Sequence, residues 1–99
     1  MPKPEIWSDA ALNDLIEIGQ FTLDLWGEKI VDRFERDVKR SIAAIQQFPF
    51  GWPESAEIKG ARKCVVNPHV SLYYEWIGDQ LYILRLYANR KDPRGLSGR

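Results

Sequence analysis

Hydrophobic residues in the N-terminal half of the chain recur with the period of an α-helix. Between Asp9 and Trp26 they occupy one broad half of a helical wheel, and polar residues occupy most of the other half. The apolar half consists of Ala11, Leu12, Leu15, Ile16, Ile18, Leu23, Leu25 and Trp26. Ser8 is a favourable N-cap, and Gly27 suits the left-handed conformation that often ends a helix. The pattern therefore predicts an amphipathic helix over residues 9–26.

A second helical pattern follows after a link of one or two residues. It runs from Glu28 to about Phe48 and has a narrower apolar stripe. The stripe consists of Ile30, Val31, Phe34, Val38, Ile42, Ile45 and Phe48. Because the link is so short, the sequence predicts that the two helices fold back as an antiparallel hairpin. Pro49 and Pro53 end the second helix and open an irregular stretch, in which we expect Trp52 to pack against the core.

The C-terminal half has the composition and the period of β-strands. Residues 70–76 and 81–88 are rich in β-branched, leucine and aromatic residues, and Gly78-Asp79 lies between them as a two-residue type II′ turn. This turn predicts the cross-strand pairs Ile77–Gln80, Trp76–Leu81, Glu75–Tyr82, Tyr74–Ile83, Tyr73–Leu84, Leu72–Arg85 and Ser71–Leu86. Since both faces of the hairpin are largely apolar, we expect it near the middle of a sheet. Residues 61–66 form a third predicted strand, and residues 5–7 a short strand at a sheet edge.

The predicted elements follow the order β-α-α-β-β-β, which indicates an α+β fold. Its expected layout is a short N-terminal strand, an antiparallel helix hairpin and then a three-stranded antiparallel sheet, with the hairpin covering one face of the sheet. A chain of 99 residues is long enough for one core, so we expect a single domain over residues 1–99. Residues 93–99 are predicted to be a flexible tail.

Composition excludes several classes of protein. Lysine plus arginine and aspartate plus glutamate are balanced at 14 each, so the whole molecule has no strong attraction to nucleic acid. Cys64 and His69 are each the only residue of their type, which predicts no disulfide, no metal site and no nucleophile–histidine pair. No segment approaches the roughly 20 apolar residues of a membrane span, and no signal peptide is recognisable. We therefore expect a cytoplasmic protein without a cofactor or a membrane partner.

One group of basic residues lies on the second predicted helix. Lys29, Arg33, Arg36 and Arg40 are spaced by four, three and four residues, which places them in one stripe. Such a stripe suits an acidic partner segment or the phosphates of a nucleic acid. The alternative is an ordinary solvated helix face, and this is the more frequent case.

Other basic residues belong to the predicted strands and the segment after them. Arg62 and Lys63 lie in the third strand, Arg85 and Tyr87 in the last strand, and Arg90-Lys91 just beyond it. Arginines beside a tyrosine on an open sheet face can hold a phosphodiester backbone and stack a base. Cations at strand ends can equally protect sheet edges from pairing with other chains. Arg85 has apolar neighbours, so it must either pair with an acid or lie on an uncovered face.

Short motifs in order along the chain resemble the RelE/ParE superfamily, the toxins of bacterial type II toxin–antitoxin modules. Residues 7–15 resemble the opening of the first helix in that family, and Phe48–Gly51 resembles the motif that closes the second helix. Residues 73–76, residues 82–86 and the Arg-Lys-Asp-Pro sequence at 90–93 resemble its C-terminal strands and ending, as found in ParE-like members. The resemblance covers nearly the whole chain and implies the same α+β fold.

The resemblance implies one of two activities, and a family member that has lost its toxicity and only binds a partner is the third possibility. RelE-like toxins cut mRNA on the ribosome and usually carry an arginine three residues before the tyrosine–acid pair of the third strand, where this chain has Ser71. ParE-like toxins inhibit DNA gyrase, and the Arg-Lys-Asp-Pro ending together with Ser71 favours that group. Both imply a cognate antitoxin as partner, and a ribonuclease would also need the ribosome and mRNA. The candidate residues are Arg62, Lys63, Arg85, Tyr87, Arg90 and Lys91 for a ribonuclease, and Arg85, Tyr87, Arg90, Lys91, Lys29, Arg33, Arg36 and Arg40 for partner binding.

Overall fold

The computed structural model describes residues 3–89, and the predictions for Arg90, Lys91 and residues 93–99 lie outside this range. The described elements are β1 (Ile6–Trp7), α1 (Asp9–Trp26), α2 (Glu28–Gln47), β2 (Arg62–Asn67), β3 (Val70–Ile77) and β4 (Gln80–Ala88). The predicted order β-α-α-β-β-β is confirmed. No helix within residues 3–89 is long and apolar enough to span a bilayer.

The strands form one mixed sheet in the order β1-β4-β3-β2. β2, β3 and β4 pair antiparallel, as predicted, while β1 pairs parallel with β4 through Ile6–Tyr82 and Trp7–Ile83. The β3–β4 hairpin occupies the middle of the sheet, which confirms the expectation from its two apolar faces. The helices cover one face, and the core between the layers contains Ala11, Phe34, Val38, Ile42, Ile45, Cys64, Val70, Leu72, Tyr74, Leu81, Ile83 and Leu86, with Trp52 packed against it as expected.

The predicted register of the hairpin is correct near the turn and wrong beyond Tyr74. Gly78 has a φ of +66°, as expected for the first position of a primed turn, and the four pairs from Ile77–Gln80 to Tyr74–Ile83 are those predicted. The register then shifts by one residue, because a β-bulge leaves Leu84 without a partner on β3. The observed pairs are Tyr73–Arg85, Leu72–Leu86 and Ser71–Tyr87, in place of Tyr73–Leu84, Leu72–Arg85 and Ser71–Leu86.

The start of α1 covers the part of the β4 edge that β1 is too short to reach. The Ser8 hydroxyl caps the helix by accepting from the Ala11 N–H at 3.0 Å, and it also donates to the Leu84 carbonyl at 2.8 Å. One turn later, the Asp14 carboxylate accepts from the Leu86 N–H at 3.0 Å. These side chains satisfy edge groups that would otherwise be open to another strand. They also fix α1 against the bulged half of β4.

The two helices differ in how much of their apolar surface they bury. α2 buries its stripe at Phe34, Val38, Ile42 and Ile45, although Phe48, which was predicted to extend it, caps the helix and is 63% exposed. In α1 only Ala11 is fully buried. Several residues of its predicted apolar half stay exposed, namely Leu12, Ile16, Leu23, Leu25 and Trp26. The periodicity identified the helix correctly but overestimated the surface that the sheet and α2 cover.

Candidate partner-binding surfaces

The sheet face opposite the helices carries a row of two cations and two tyrosines. Lys63, Tyr73 and Arg85 are neighbours across β2, β3 and β4, and Tyr87 follows Arg85 on the same face. The rings of Tyr73 and Tyr87 meet edge-on with centroids 5.1 Å apart. The Lys63 ammonium lies 5.7 Å from the Tyr73 ring, and the Arg85 guanidinium lies 4.7 Å from the Tyr87 ring. We call Lys63, Tyr73, Tyr87 and Arg85 the tyrosine–cation row. Tyr73 is buried beneath its neighbours, so Lys63, Arg85 and Tyr87 are the members that reach the surface.

At one end of this row, Arg85 forms a two-pronged ion pair with Asp14 of α1. Arg85 Nε donates to Asp14 Oδ2 at 2.7 Å and Nη2 donates to Oδ1 at 3.0 Å. The Asp14 side chain is only 12% exposed, and the hydrogen bond from Arg85 is the main cause of its lowered pKa, against the opposing effect of burial. Arg85 therefore pairs with an acid while stacking on Tyr87, and its charge is largely satisfied within the chain.

At the other end, Lys63 lies 3.7 Å from the carboxylate of Glu57. Glu57 belongs to the loop between α2 and β2, where it accepts a hydrogen bond from the Ser55 hydroxyl at 3.1 Å. That bond is the main cause of the lowered pKa of Glu57, and the Tyr73 hydroxyl adds a smaller contribution. Each cation of the tyrosine–cation row thus has a carboxylate partner from another part of the chain.

Arg62 is separated from the row because side chains alternate along β2. It lies on the same face as Cys64, where its guanidinium donates to the Trp52 carbonyl at 2.6 Å and lies 5.3 Å from the Phe50 ring. Its cross-strand neighbour Tyr74 donates to the Pro49 carbonyl at 2.7 Å, and burial raises the pKa of Tyr74 to about 12. Arg62 and Tyr74 therefore tie the loop after α2 to the sheet.

Ser71 lies where the resemblance implied an arginine in mRNA-cleaving toxins. It is fully buried between its cross-strand neighbours Val65 and Tyr87, and its hydroxyl donates to Asn89 Oδ1 at 3.0 Å. A serine here provides neither charge nor reach toward a ligand. The tyrosine–cation row therefore has no additional cation at this position.

The α2 basic stripe, formed by Lys29, Arg33, Arg36 and Arg40, lies on the solvent face of its helix. All four residues are exposed, and they lie opposite the buried stripe of α2. Arg40 donates to Asp37 at 3.0 Å, and Asp37 also accepts from Asn67 of β2 at 3.5 Å. The stripe presents cations to solvent on a rigid helix, well separated from the tyrosine–cation row.

Of the residues proposed from sequence, the structure brings Lys63, Arg85 and Tyr87 together and places Arg62 and the α2 basic stripe elsewhere. Sequence reasoning missed Tyr73, Asp14 and Glu57. Alternation along β3 places Tyr73 on the face of the row, so the sequence pattern offered a signal for it. Asp14 lies 71 residues before Arg85, and Glu57, although near Lys63 in the sequence, lies in an irregular loop whose position no periodic pattern predicts. Within residues 3–89, no group of three or more histidine, cysteine, aspartate and glutamate side chains is placed to hold a metal ion.

Comparisons with solved structures find similar folds. A chromosomal ParDE toxin–antitoxin system from P. aeruginosa matches with a TM-score of 0.70 and 23% identity, covering 83% of this chain and 90% of that one. A conserved hypothetical protein from Helicobacter pylori matches with a TM-score of 0.60 and 20% identity, covering 90% and 96%. The E. coli DinJ–YafQ complex matches with a TM-score of 0.57 and 15% identity, covering 87% and 92%.

A search of curated proteins gave no match. The family model for the ParE toxin of the type II toxin–antitoxin system parDE matches residues 6–93, which is most of the chain. This match includes all the strands and both helices, as well as the tyrosine–cation row and the α2 basic stripe. The chain therefore belongs to the ParE toxin family of type II toxin–antitoxin systems.

Proposed function

We propose that this chain is a toxin that arrests growth by binding and inhibiting DNA gyrase, and that a cognate antitoxin neutralises it. Membership of the ParE family supports the toxin role. The choice of a protein target over mRNA cleavage comes from the arrangement of charges on the sheet. The tyrosine–cation row is the proposed target-binding surface.

The observation that carries this choice is the internal pairing of both cations in the row. Arg85 is held by Asp14 and Lys63 lies beside Glu57, while Ser71 supplies no charge. Phosphodiester cleavage needs cations directed at the charge that develops on the phosphate, and loss of one such donor typically lowers the rate about 10²–10³-fold. Paired cations beside tyrosine rings suit contact with a protein surface, where tyrosine and arginine are favoured residues.

The α2 basic stripe is the proposed contact for the antitoxin. Four exposed cations on one rigid helix attract an acidic segment and accelerate its binding. A flexible antitoxin chain can cover such a large surface, because it folds onto the toxin as it binds. The stripe and the row lie on different parts of the molecule, so antitoxin and target need not contact the same residues.

The decisive experiment induces the gene alone in a bacterial host and follows the synthesis of DNA, RNA and protein by pulse labelling. Early loss of DNA synthesis is expected, together with inhibition of supercoiling when the purified chain is added to gyrase. Tyr87→Ala should weaken that inhibition about tenfold, because it removes the ring on which Arg85 stacks. Tyr82→Ala is the matched control, since Tyr82 lies outside the row.

Other outcomes contradict the proposal in different ways. Early loss of protein synthesis, with message cut on purified ribosomes, would support a ribonuclease that uses Lys63, Arg85 and Tyr87. Unchanged growth with intact antitoxin binding would indicate a family member that binds without toxicity. Equal inhibition of gyrase by the Tyr87 variant and the Tyr82 control would remove the row from the target-binding surface.

A further inference from the structure

The loop between α2 and β2 is fixed to the edge of the sheet by backbone hydrogen bonds. The Lys63 N–H donates to the Pro53 carbonyl at 2.9 Å, and the Ser55 N–H donates to the Ala61 carbonyl at 2.7 Å. An isolated antiparallel bridge lies between these two contacts. This part of the loop therefore runs beside β2 like a further short strand, next to the end of the tyrosine–cation row that Lys63 forms.

Ser55 then holds the carboxylate of Glu57 in place. The Ser55 hydroxyl accepts from the N–H groups of Glu57 and Ile58, each at 3.0 Å, and it donates to Glu57 Oε1 at 3.1 Å. The second oxygen, Oε2, faces Lys63 Nζ at 3.7 Å. The Tyr73 hydroxyl donates to the same carboxylate. One side chain of the loop thus contacts two members of the tyrosine–cation row.

Both contacts matter for the shape of the row. A lysine side chain is long, flexible and strongly hydrated, so the Tyr73 ring at 5.7 Å alone orders the Lys63 ammonium only weakly. Glu57 adds an opposite charge to that contact. Tyr73 is 3% exposed, and a buried tyrosine hydroxyl requires a hydrogen-bond partner. Because the Tyr73 ring also meets Tyr87 edge-on, the effect of Glu57 extends to the next ring of the row.

We propose that Glu57 is a positioning residue of the target-binding surface, which holds Lys63 and Tyr73 in the arrangement that the target recognises. This inference rests on the proposed function, since it takes the tyrosine–cation row as the surface that binds gyrase. Glu57 acts through the row and does not have to touch the target. The row then has a carboxylate anchor at each end, Glu57 beside Lys63 and Asp14 beside Arg85.

The first test observes the Lys63 contact in the isolated chain by nuclear magnetic resonance. The Tyr73 ring should shift the resonances at the end of the Lys63 side chain away from those of a free lysine. Glu57→Gln should move them toward the free values, because a neutral amide no longer attracts the ammonium. Glu54→Gln is the matched control, since Glu54 is an exposed acid of the same loop that lies opposite Arg62, on the other face of the sheet. Equal changes in both variants, or none in Glu57→Gln, would overturn the positioning role.

The second test measures inhibition of gyrase supercoiling by the purified variants. Glu57→Gln should weaken inhibition about threefold, the size expected for a partly exposed ion pair, and Glu54→Gln should leave it unchanged. Lys63→Met removes the cation while keeping a long side chain. When both substitutions are combined, the loss should be smaller than the product of the two separate losses, because Glu57 acts through Lys63. Losses that multiply fully would mean that Glu57 acts independently of Lys63, against the inference.

The two tests separate this inference from the proposed function. A wild-type chain that does not inhibit gyrase contradicts the proposed function and removes the target-binding role of Glu57, while the Lys63 resonances still report the contact itself. Inhibition by wild-type chain that Glu57→Gln leaves unchanged overturns the positioning role alone. Both glutamates are exposed, so neither substitution is expected to prevent folding.

Discussion

Asp14 connects the first helix to the last strand through three hydrogen bonds. Its two oxygens accept from Arg85 Nε, Arg85 Nη2 and the Leu86 N–H, so the same carboxylate holds a side chain of the tyrosine–cation row and an edge group of β4. A sequence pattern can identify an ion pair between side chains three or four residues apart on one helix. Asp14 and Arg85 are 71 residues apart and lie on different elements. This is why the sequence predicted that Arg85 needs a partner without identifying it.

Asp14→Ala should lower the free energy of unfolding by about 1–3 kcal/mol, because it leaves the Leu86 N–H and the Arg85 guanidinium without their acceptor. Urea unfolding followed by circular dichroism measures the change. Asp24→Ala is the control, since Asp24 is exposed and, among residues 3–89, accepts only from Gln20 of the same helix. It should change stability by no more than about 0.5 kcal/mol. Equal effects of the two substitutions would show that the Asp14 contacts contribute little.

The pH dependence of stability should reveal the charge of Asp14. Hydrogen bonds from Arg85 hold its pKa below the usual value near 4, so the folded state favours the carboxylate. This contribution is complete above pH 4 and disappears as the pH falls through the lower pKa of the folded state. The stability difference between wild-type chain and Asp14→Asn should therefore shrink steadily below pH 4. A difference that stays constant with pH would mean that the charge is unimportant.

The β3–β4 hairpin shows which parts of an element local sequence can specify. Alternation and the Gly78-Asp79 turn were sufficient for the register as far as Tyr74 and Ile83. The bulge at Leu84 lies where Ser8 binds the Leu84 carbonyl, and this contact comes from another element. Alternation along β4 alone cannot reveal such a tertiary contact. The resulting shift is what brings Arg85 opposite Tyr73 and so assembles the row.

In the two helices, local sequence specifies the bounds of the element but not how much of its apolar surface is buried. Both have helical periodicity, and their bounds were predicted within one residue. α2 buries four residues of its stripe, whereas α1 buries only Ala11, because α1 has more apolar surface than the sheet and α2 can cover. Periodicity shows which face of a helix is apolar, but it does not show whether another element packs against that face. Sequence analysis therefore could not show that Leu12, Ile16, Leu23, Leu25 and Trp26 of α1 stay exposed.

The same substitution, glycine to alanine, should have opposite effects in the β3–β4 turn and in α1. Gly78→Ala should destabilise the chain by about 1–2 kcal/mol, because Gly78 has a φ of +66°, a left-handed conformation that disfavours a Cβ. Gly19→Ala should stabilise the chain by about 0.5–1 kcal/mol, because alanine is the better helix former and the site is open. Thermal and urea unfolding measure both changes in stability. If both substitutions stabilised the chain, or both destabilised it, the backbone would not need glycine at residue 78 alone.

At the scale of the whole molecule, a net charge of zero conceals a separation of charges. α1 contains four acidic residues and no lysine or arginine, whereas α2 contains five basic and four acidic residues, with the basic stripe along its exposed face. The balanced composition predicts that the molecule as a whole lacks a strong field. Composition does not show where the cations lie relative to each other, because their positions depend on how the helices and strands pack. The sequence thus supplied the candidate residues, and packing divided them between two surfaces.

The α2 basic stripe should attract its proposed acidic partner over a distance. Replacing Arg33 and Arg36 together by alanine should slow association with the antitoxin about tenfold at low salt, since the stripe supplies the attraction. The loss should fade as salt is raised to physiological strength, because screening shortens the range of exposed charges to about 8 Å. Stability should not fall, since both residues are exposed and alanine favours helix.

Lys39→Ala with Lys59→Ala is the matched control, because it removes the same charge from exposed positions outside the stripe. Stopped-flow binding over a range of salt concentrations distinguishes the two variants. A stripe that guides the antitoxin gives slower association only when Arg33 and Arg36 are lost, with dissociation little changed. Equal slowing by both variants would assign the effect to net charge alone. Unchanged rates in both would reduce the stripe to a solvated helix face, the alternative that its sequence pattern also allowed.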